Sequence, residues 1–300
     1  MDSKTPDEIK VPDWLHYIAL TKSGKNEWWR YVLTMALVIW FVFTFALATL
    51  APLILKYGAT VGAQQVGEPL WLAVNLAPFP FAILALWLGL RFLHHRPFKS
   101  LLGAGRFRWE NLALAGGLWL FLASLGDLGL SIFQPGNYSF SFTLARFLPY
   151  AVVVVLLIPL QIGAEELVFR GYLTQGFGRL GGFWLAWLLP TLLFGSLHIA
   201  NPEVGEYGFW LTMPSYLGIG LLLGWLTLKS GGLELALGVH LANNLYSTLL
   251  VTFPSSALPS PALWQIQTLN PLASQVLFFI ASLVFVAIIL RFRKKFFTIQ

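Results

Sequence analysis

The chain has 300 residues, of which 57% are hydrophobic and 11% charged, and its formal net charge is +6. A soluble domain would carry roughly 25% charged residues, so the composition excludes an ordinary soluble domain and predicts an all-α, polytopic integral membrane protein. The chain contains no cysteine, which excludes disulfides, a cysteine nucleophile and cysteine metal ligands.

The predicted elements are transmembrane helices, because a helix needs about 20 mostly apolar residues to cross a bilayer. The first thirty residues are polar and lack the basic-then-apolar pattern of a signal peptide. Eight apolar stretches follow in chain order: 31–55, 70–93, 111–134, 147–176, 182–200, 210–228, 232–252 and 271–290. The fourth stretch is long, and we expect Pro159 and Gly163 to bend it.

These stretches suggest four parts of the chain. Residues 1–30 form a cytoplasmic segment, residues 31–146 hold three peripheral helices, and residues 147–252 hold the core that carries the candidate site. Residues 253–300 hold an external loop, the last transmembrane helix and a basic tail. We expect the core helices to enclose a hydrophilic cavity.

The distribution of basic residues predicts the orientation of the helices. If the eight stretches cross the membrane in turn, 17 of the 19 Lys and Arg residues fall on one side. Loops rich in Lys and Arg face the cytoplasm, so both termini are predicted to be cytoplasmic, in the inner membrane if the cell is prokaryotic. Basic loops facing anionic membrane lipids account for the positive charge, and no nucleic-acid partner is needed.

Three polar segments interrupt the predicted membrane core, where ionisable side chains are costly and usually functional. They are Glu165-Glu166-Leu167-Val168-Phe169-Arg170, Phe194-Gly195-Ser196-Leu197-His198 and His240-Leu241-Ala242-Asn243-Asn244. Two carboxylates, two imidazoles and an amide are the parts from which a hydrolase site can be built. Interhelical hydrogen bonding would explain one such segment, but it explains all three together far less easily.

Helical spacing assigns different surroundings to the two glutamates. Glu166 and Arg170 are four residues apart and share one helix face, so they are predicted to form an ion pair. Glu165 points about 100° away and has no such partner. It is therefore the candidate acid or base.

The two histidine segments have the same four-residue spacing. Phe194 lies one turn before His198, so its ring is expected to pack beneath the imidazole. His240 and Asn244 share a face, with Asn243 beside them. The flanking charges place His198 nearer the membrane surface than the other site residues, so a helix tilt, a shallower helix or a bend at Pro190 is required.

The order E-E-x-x-x-R, F-x-x-x-H, H-x-x-x-N resembles that of the CAAX prenyl endopeptidase type II family, also called the CPBP or Abi intramembrane proteases. The resemblance covers roughly residues 147–250. It implies an enzyme that cleaves a hydrophobic or lipidated peptide, such as a prenylated CAAX-type substrate. It also implies a role for each motif residue: water activation by Glu165 and His198, oxyanion stabilisation by His240 and Asn244, and support from Glu166, Arg170, Phe194 and Asn243.

Other interpretations stay open at this point. A catalytically silent binding or bacteriocin-immunity protein would have the same architecture. A proton-coupled transporter could use Glu165, Glu166 and Asp127 as a relay, although no inverted repeat is visible. No cofactor is expected, because no His-Glu-x-x-His helix occurs. Zinc held by Glu165, His198 and His240 is the chemical alternative.

Overall fold

The structure is a computed structural model that describes residues 13–297, and most of this part of the chain is helical. Residues 1–12 of the predicted cytoplasmic segment and residues 298–300 of the predicted tail lie outside the described range. The helices of the first half are α1 (Asp13–Ala19), α2 (Trp28–Tyr57), α3 (Ala63–Val66), α4 (Glu68–Leu76), α5 (Pro78–Leu88) and α6 (Trp109–Phe133). Short 3-10 turns at Leu20–Ser23 and Phe98–Leu101 and a π-helical turn at Gly89–His94 connect some of them.

The second half carries the three motifs. Its helices are α7 (Leu144–Glu166), α8 (Thr174–Ser196), α9 (Pro202–Tyr207), α10 (Phe209–Ser230), α11 (Glu234–Leu245), α12 (Pro271–Arg291) and α13 (Arg293–Phe296). Two π-helical segments, Leu167–Leu173 and Tyr246–Leu250, follow α7 and α11 directly. The expected bend at Pro159 and Gly163 does not interrupt α7, which stays helical through both residues.

A small sheet departs from the all-helical expectation. Its strands are β1 (Tyr138–Phe140), β2 (Val251–Thr252) and β3 (Trp264–Ile266), in the order β1-β3-β2. β1 is antiparallel to β3, with Tyr138 opposite Ile266, and β2 is parallel to β3. The sequence predicted only an extended loop after residue 252. The pairing was not expected because β1, the antiparallel partner of β3, lies far earlier in the chain.

Within the described residues, six helical stretches are long and apolar enough to cross a membrane. One of them, Leu144–Ser196, has 53 residues, and at 1.5 Å per residue it would exceed twice the bilayer core of about 30 Å. Gly181 (φ −145°, ψ 22°) and Gly182 (φ 67°, ψ −155°) leave the helical conformation within it, at the boundary predicted between the fourth and fifth helices. The polytopic all-α fold is therefore confirmed, whereas the count of eight stays a prediction.

The predicted seventh helix is short and largely buried. α11 has 12 residues, and the π-helical segment after it has five. It packs against α6, α7 and α10. It approaches α6 so closely that a Cβ atom on Gly238 would lie 2.2 Å from the carbonyl oxygen of Leu112. Small residues at such crossings let membrane helices pack backbone to backbone.

The basic segments predicted to be cytoplasmic meet at one end of the bundle. Arg179 donates to the Thr21 hydroxyl at 3.1 Å, and the His94 ring contacts the carbonyl oxygen of Lys25 at 2.7 Å. Arg108 donates to the carbonyl oxygen of Phe296 at 3.3 Å. These contacts agree with the predicted segregation of charge, while the orientation relative to the cell stays a prediction.

Candidate catalytic site

The first motif lies where α7 passes into the π-helical segment. Glu166 is fully buried, and its Oε1 accepts hydrogen bonds from Nη1 of Arg170 at 2.9 Å and Nδ1 of His240 at 2.7 Å. The ion pair expected from the four-residue spacing is therefore present. The bond to His240 joins residues 74 positions apart, and no local pattern in the sequence indicates it.

Glu166 fixes the orientation of His240. Because Nδ1 donates to a carboxylate, Nε2 of the same ring is left to face the opposite direction. Oε2 of Glu165 lies 3.6 Å from that Nε2, just beyond direct hydrogen-bonding distance and within reach of a bridging water. The Glu165 side chain is 13% exposed and the Glu166 side chain 0%, so Glu165 is the carboxylate that water or substrate can reach.

Glu165 has a neutral hydrogen-bond partner that was not expected from the sequence. Its Oε1 accepts a hydrogen bond from Nε2 of Gln161 at 3.1 Å. Gln161 lies four residues earlier on α7 and therefore shares the face of Glu165. The same spacing rule that paired Glu166 with Arg170 would have found it.

Phe194 connects the three motifs. Its ring centroid is 4.6 Å from that of His198 and 5.8 Å from that of His240. The guanidinium carbon of Arg170 lies 4.2 Å from the same centroid, a cation–π arrangement. Phe194 is itself buried, so it holds groups from three helices around one apolar wall.

His198 lies in the turn after α8, with its ring between two aromatic side chains. Its Nδ1 is 2.9 Å from the carbonyl oxygen of Phe194, which leaves Nε2 as the free ring nitrogen. The other face of the ring stacks on Tyr216 at 4.4 Å. Among the hydrogen bonds of the described residues, none joins His198 to Glu165 or His240, and Phe194 is the contact that links His198 to the site. Pro190, where a bend was one of the ways to bring His198 toward the site, does not interrupt α8, which stays helical through that residue.

The two asparagines form a short chain of amides. Oδ1 of Asn243 accepts a hydrogen bond from Nε1 of Trp119 at 3.2 Å. Nδ2 of Asn243 in turn donates to Oδ1 of Asn244 at 3.4 Å. Asn243 therefore positions Asn244, which is half-buried one turn beyond His240.

Two of the π-helical segments begin within two residues of a motif. Leu167 follows Glu166, and Tyr246 is two residues after Asn244. π-helical turns are rare and occur frequently at functional sites. The first changes the helical register inside the first motif and the second changes it after the third motif, and no sequence pattern indicates either of them.

Within the part of the chain that the structure describes, no three His, Asp or Glu side chains are close enough together to hold a metal ion. Glu165, His198 and His240, the residues of the alternative zinc site, are included in that part. The metal-free site and its zinc alternative both stay predictions.

A cavity of about 320 Å³ lies beside the site, between α6, α10, α11 and α12. Tyr216, which stacks on His198, and Asn243, which bonds Asn244, form part of its wall. Its lining does not include Glu165, His198, His240 or Asn244. The cavity lined by those four residues stays a prediction.

These features define a class of protein: a helical membrane protein in which two adjacent carboxylates meet a histidine between helices, with a second histidine packed on the same phenylalanine as the first. The family model described as "Type II CAAX prenyl endopeptidase Rce1-like" matches residues 144–246. The chain is also 30% identical over 284 residues to the uncharacterized protein YyaK of Bacillus subtilis (strain 168), an alignment covering 91% of this chain and 94% of that one. The chain belongs to the Rce1-like family of type II CAAX prenyl endopeptidases, which confirms the resemblance. No solved structure matches it.

Proposed function

We propose that the protein is an intramembrane endopeptidase that hydrolyses a peptide bond of a membrane-associated substrate, prenylated or otherwise hydrophobic. One observation carries the proposal: the reachable carboxylate of Glu165 faces the Nε2 of His240, which the buried Glu166 holds in place. A carboxylate and an oriented imidazole around one accessible point are the requirements of general acid–base hydrolysis.

In the proposed reaction, Glu165 and His198 activate a water molecule. Glu165 takes a proton from the water, whose oxygen adds to the carbonyl carbon of the peptide bond. Glu165 then returns the proton to the leaving nitrogen as the carbon–nitrogen bond breaks. His240, which in this scheme carries a proton on Nε2 as well as on the Nδ1 that is bonded to Glu166, and the amide of Asn244 donate to the oxyanion.

Glu166 and Arg170 are positioning residues in this scheme. The guanidinium compensates the charge of the Glu166 carboxylate, which can then accept from His240 at low cost within the membrane core. The His240 ring keeps one orientation, and preorganised donors of this kind lower the barrier because they need not reorient during the reaction.

The molecular surface suits a substrate that arrives from the lipid phase. Large apolar side chains are exposed along the outward faces of several helices, including Phe43 of α2, Phe121 of α6, Val155 of α7 and Leu283 of α12. Such faces contact lipid tails in a membrane protein. Membrane lipids and a hydrophobic or lipidated peptide are accordingly the proposed partners.

The test compares purified wild-type protein with the Glu165→Gln variant on a library of hydrophobic and prenylated peptides, read by mass spectrometry. The amide keeps the shape of the side chain and removes the base, which typically costs 10²–10⁴-fold in rate. Glu206→Gln is the matched control, because Glu206 is an exposed acid of α9 outside the site. Activity of Glu165→Gln within about threefold of wild type would overturn the assignment. Binding without any cleavage by the wild type would favour a catalytically silent binding protein.

A further inference from the structure

The 320 Å³ cavity beside the site has an acidic interior within largely apolar walls. Most of its surface is apolar, and β2 and β3 contribute Val251 and Ile266 to the lining. Asp127 and Glu203 also line it, and no Lys, Arg or His occurs among the described residues that do so. The cavity therefore holds two carboxylates and no cation.

The two carboxylates differ in how their hydrogen bonds are satisfied. Asp127 accepts from the hydroxyl of Tyr138 at 2.7 Å and from that of Tyr246 at 2.6 Å, one on each oxygen. Glu203 accepts from the Tyr216 hydroxyl on Oε1, whereas its Oε2 is buried with no hydrogen-bond partner. Glu203 is only 8% exposed, and a buried carboxylate oxygen without a donor is costly.

We infer that this cavity is a cation site, which takes a lysine-like ammonium or a guanidinium of the peptide substrate. A cationic donor in the cavity would make a charge-assisted hydrogen bond to the Glu203 carboxylate, which lines it. The aromatic rings of Tyr216, Tyr246 and Trp119 in the same lining provide faces that attract cations.

The substrate role rests on the proposed function. Tyr216 contributes its hydroxyl to Glu203 and its ring to the stack on His198, so a bound cation would lie one side chain away from the proposed water-activating histidine. The cavity would then select peptides that carry a positive charge near the cleaved bond.

Binding is tested first, on the full chain carrying Glu165→Gln, so that no cleavage is involved. Hexylammonium chloride and hexan-1-ol serve as probes of equal chain length that differ in charge. We expect hexylammonium to raise the melting temperature and to bind about tenfold or more tightly than hexanol, the range of a charge-assisted hydrogen bond. Adding Glu203→Gln should remove that difference, since glutamine can still accept from Tyr216, whereas Glu206→Gln should keep it. Equal binding of both probes, or the same loss in Glu206→Gln, would overturn the cation site.

Cleavage is tested second, with peptide pairs that differ only by lysine or its uncharged acetylated form. We expect wild-type kcat/KM to favour the lysine peptide about tenfold at one position, and the ratio to approach one in Glu203→Gln. Cleavage with no lysine preference would overturn the substrate role even if hexylammonium binds. If no peptide is cleaved, the proposed function fails, and the hexylammonium result alone decides whether the cavity is a cation site.

Discussion

Glu165 and Glu166 are neighbours in the chain and have opposite surroundings. Glu166 is enclosed between a guanidinium and an imidazole, while Glu165 is partly exposed and only loosely bonded. Glu166→Ala should therefore lower stability more than Glu165→Ala, because it leaves the buried charge of Arg170 uncompensated, at a cost of about 3–5 kcal/mol. Unfolding in mixed micelles, followed by circular dichroism, would measure the difference.

The double variant Glu166→Ala/Arg170→Leu separates stability from activity. Removing the second charge should restore most of the lost stability, since apolar replacement of a buried pair is often neutral. Activity should stay low, because Nδ1 of His240 would still lack its acceptor. An absence of stability rescue would count against the pair, and full recovery of activity would count against the orienting role of Glu166.

Metal dependence distinguishes two roles for the same three residues. In the proposed mechanism Glu165 and His198 act on water directly, so activity should persist in a strong chelator and no stoichiometric metal should copurify. If zinc instead lies between Glu165, His198 and His240, it would lower the pKa of its bound water to about 7. About one zinc per chain by elemental analysis, with activity lost to the chelator and restored by zinc, would convert these residues from base and donors into ligands.

The spacing of residues in the sequence predicts some contacts of the site and not others. The ion pair of Glu166 with Arg170 and the packing of Phe194 on His198 both follow from one helical turn. The bond from His240 to Glu166 depends on how two distant helices pack, and that packing has no signature in a single sequence. The stack of Tyr216 on His198 is missed for the same reason.

At the scale of the elements, hydropathy predicts where helices lie better than how they are divided. The break at Gly181 and Gly182 coincides with a predicted boundary between two helices. Gly182 has a positive φ of 67°, a backbone conformation that favours glycine. The two π-helical segments, one within the first motif and one after the third, change the register of a helix without changing its hydropathy. The sheet was also missed, since two- and three-residue strands are too short for alternation to be visible.

The crossing of α6 and α11 offers a test of how helix packing positions the site. Gly238 lies two residues before His240, and a Cβ atom there would meet the backbone of Leu112. Gly238→Ala should push the helices apart, lower the melting temperature and reduce kcat by moving His240. Gly117→Ala is the matched control, because nothing lies within 4 Å of a Cβ atom at Gly117, and alanine there should be neutral or stabilising by up to about 1 kcal/mol. Equal effects of the two variants would contradict the close-packing explanation.

At the scale of the whole molecule, the distribution of Lys and Arg in the sequence and the contacts in the structure both distinguish two ends of the helix bundle. The basic segments around Lys25, Arg108 and Arg179 contact one another through backbone and side chains at one end. Arg146, one of the two basic residues predicted on the other side, pairs with Glu68 at the beginning of α4. The positive-inside rule requires the basic segments to lie on one side of the membrane. The orientation of the protein in the cell can therefore be tested by asking on which side those segments lie.

Because the chain contains no cysteine, single cysteines can report on that orientation without background. We expect Ser3→Cys, Lys99→Cys and Lys295→Cys to react with a membrane-impermeant maleimide only after intact cells are permeabilised. Thr268→Cys, in the exposed segment between β3 and α12, should react in intact cells. The reason is that moving several Lys and Arg residues across the membrane is unfavourable, whereas the segment 253–270 carries no charge. Labelling of Ser3→Cys and Lys295→Cys on opposite sides would require an odd number of crossings. Labelling of all four cysteines in the reversed pattern would keep the number of crossings even and invert the protein.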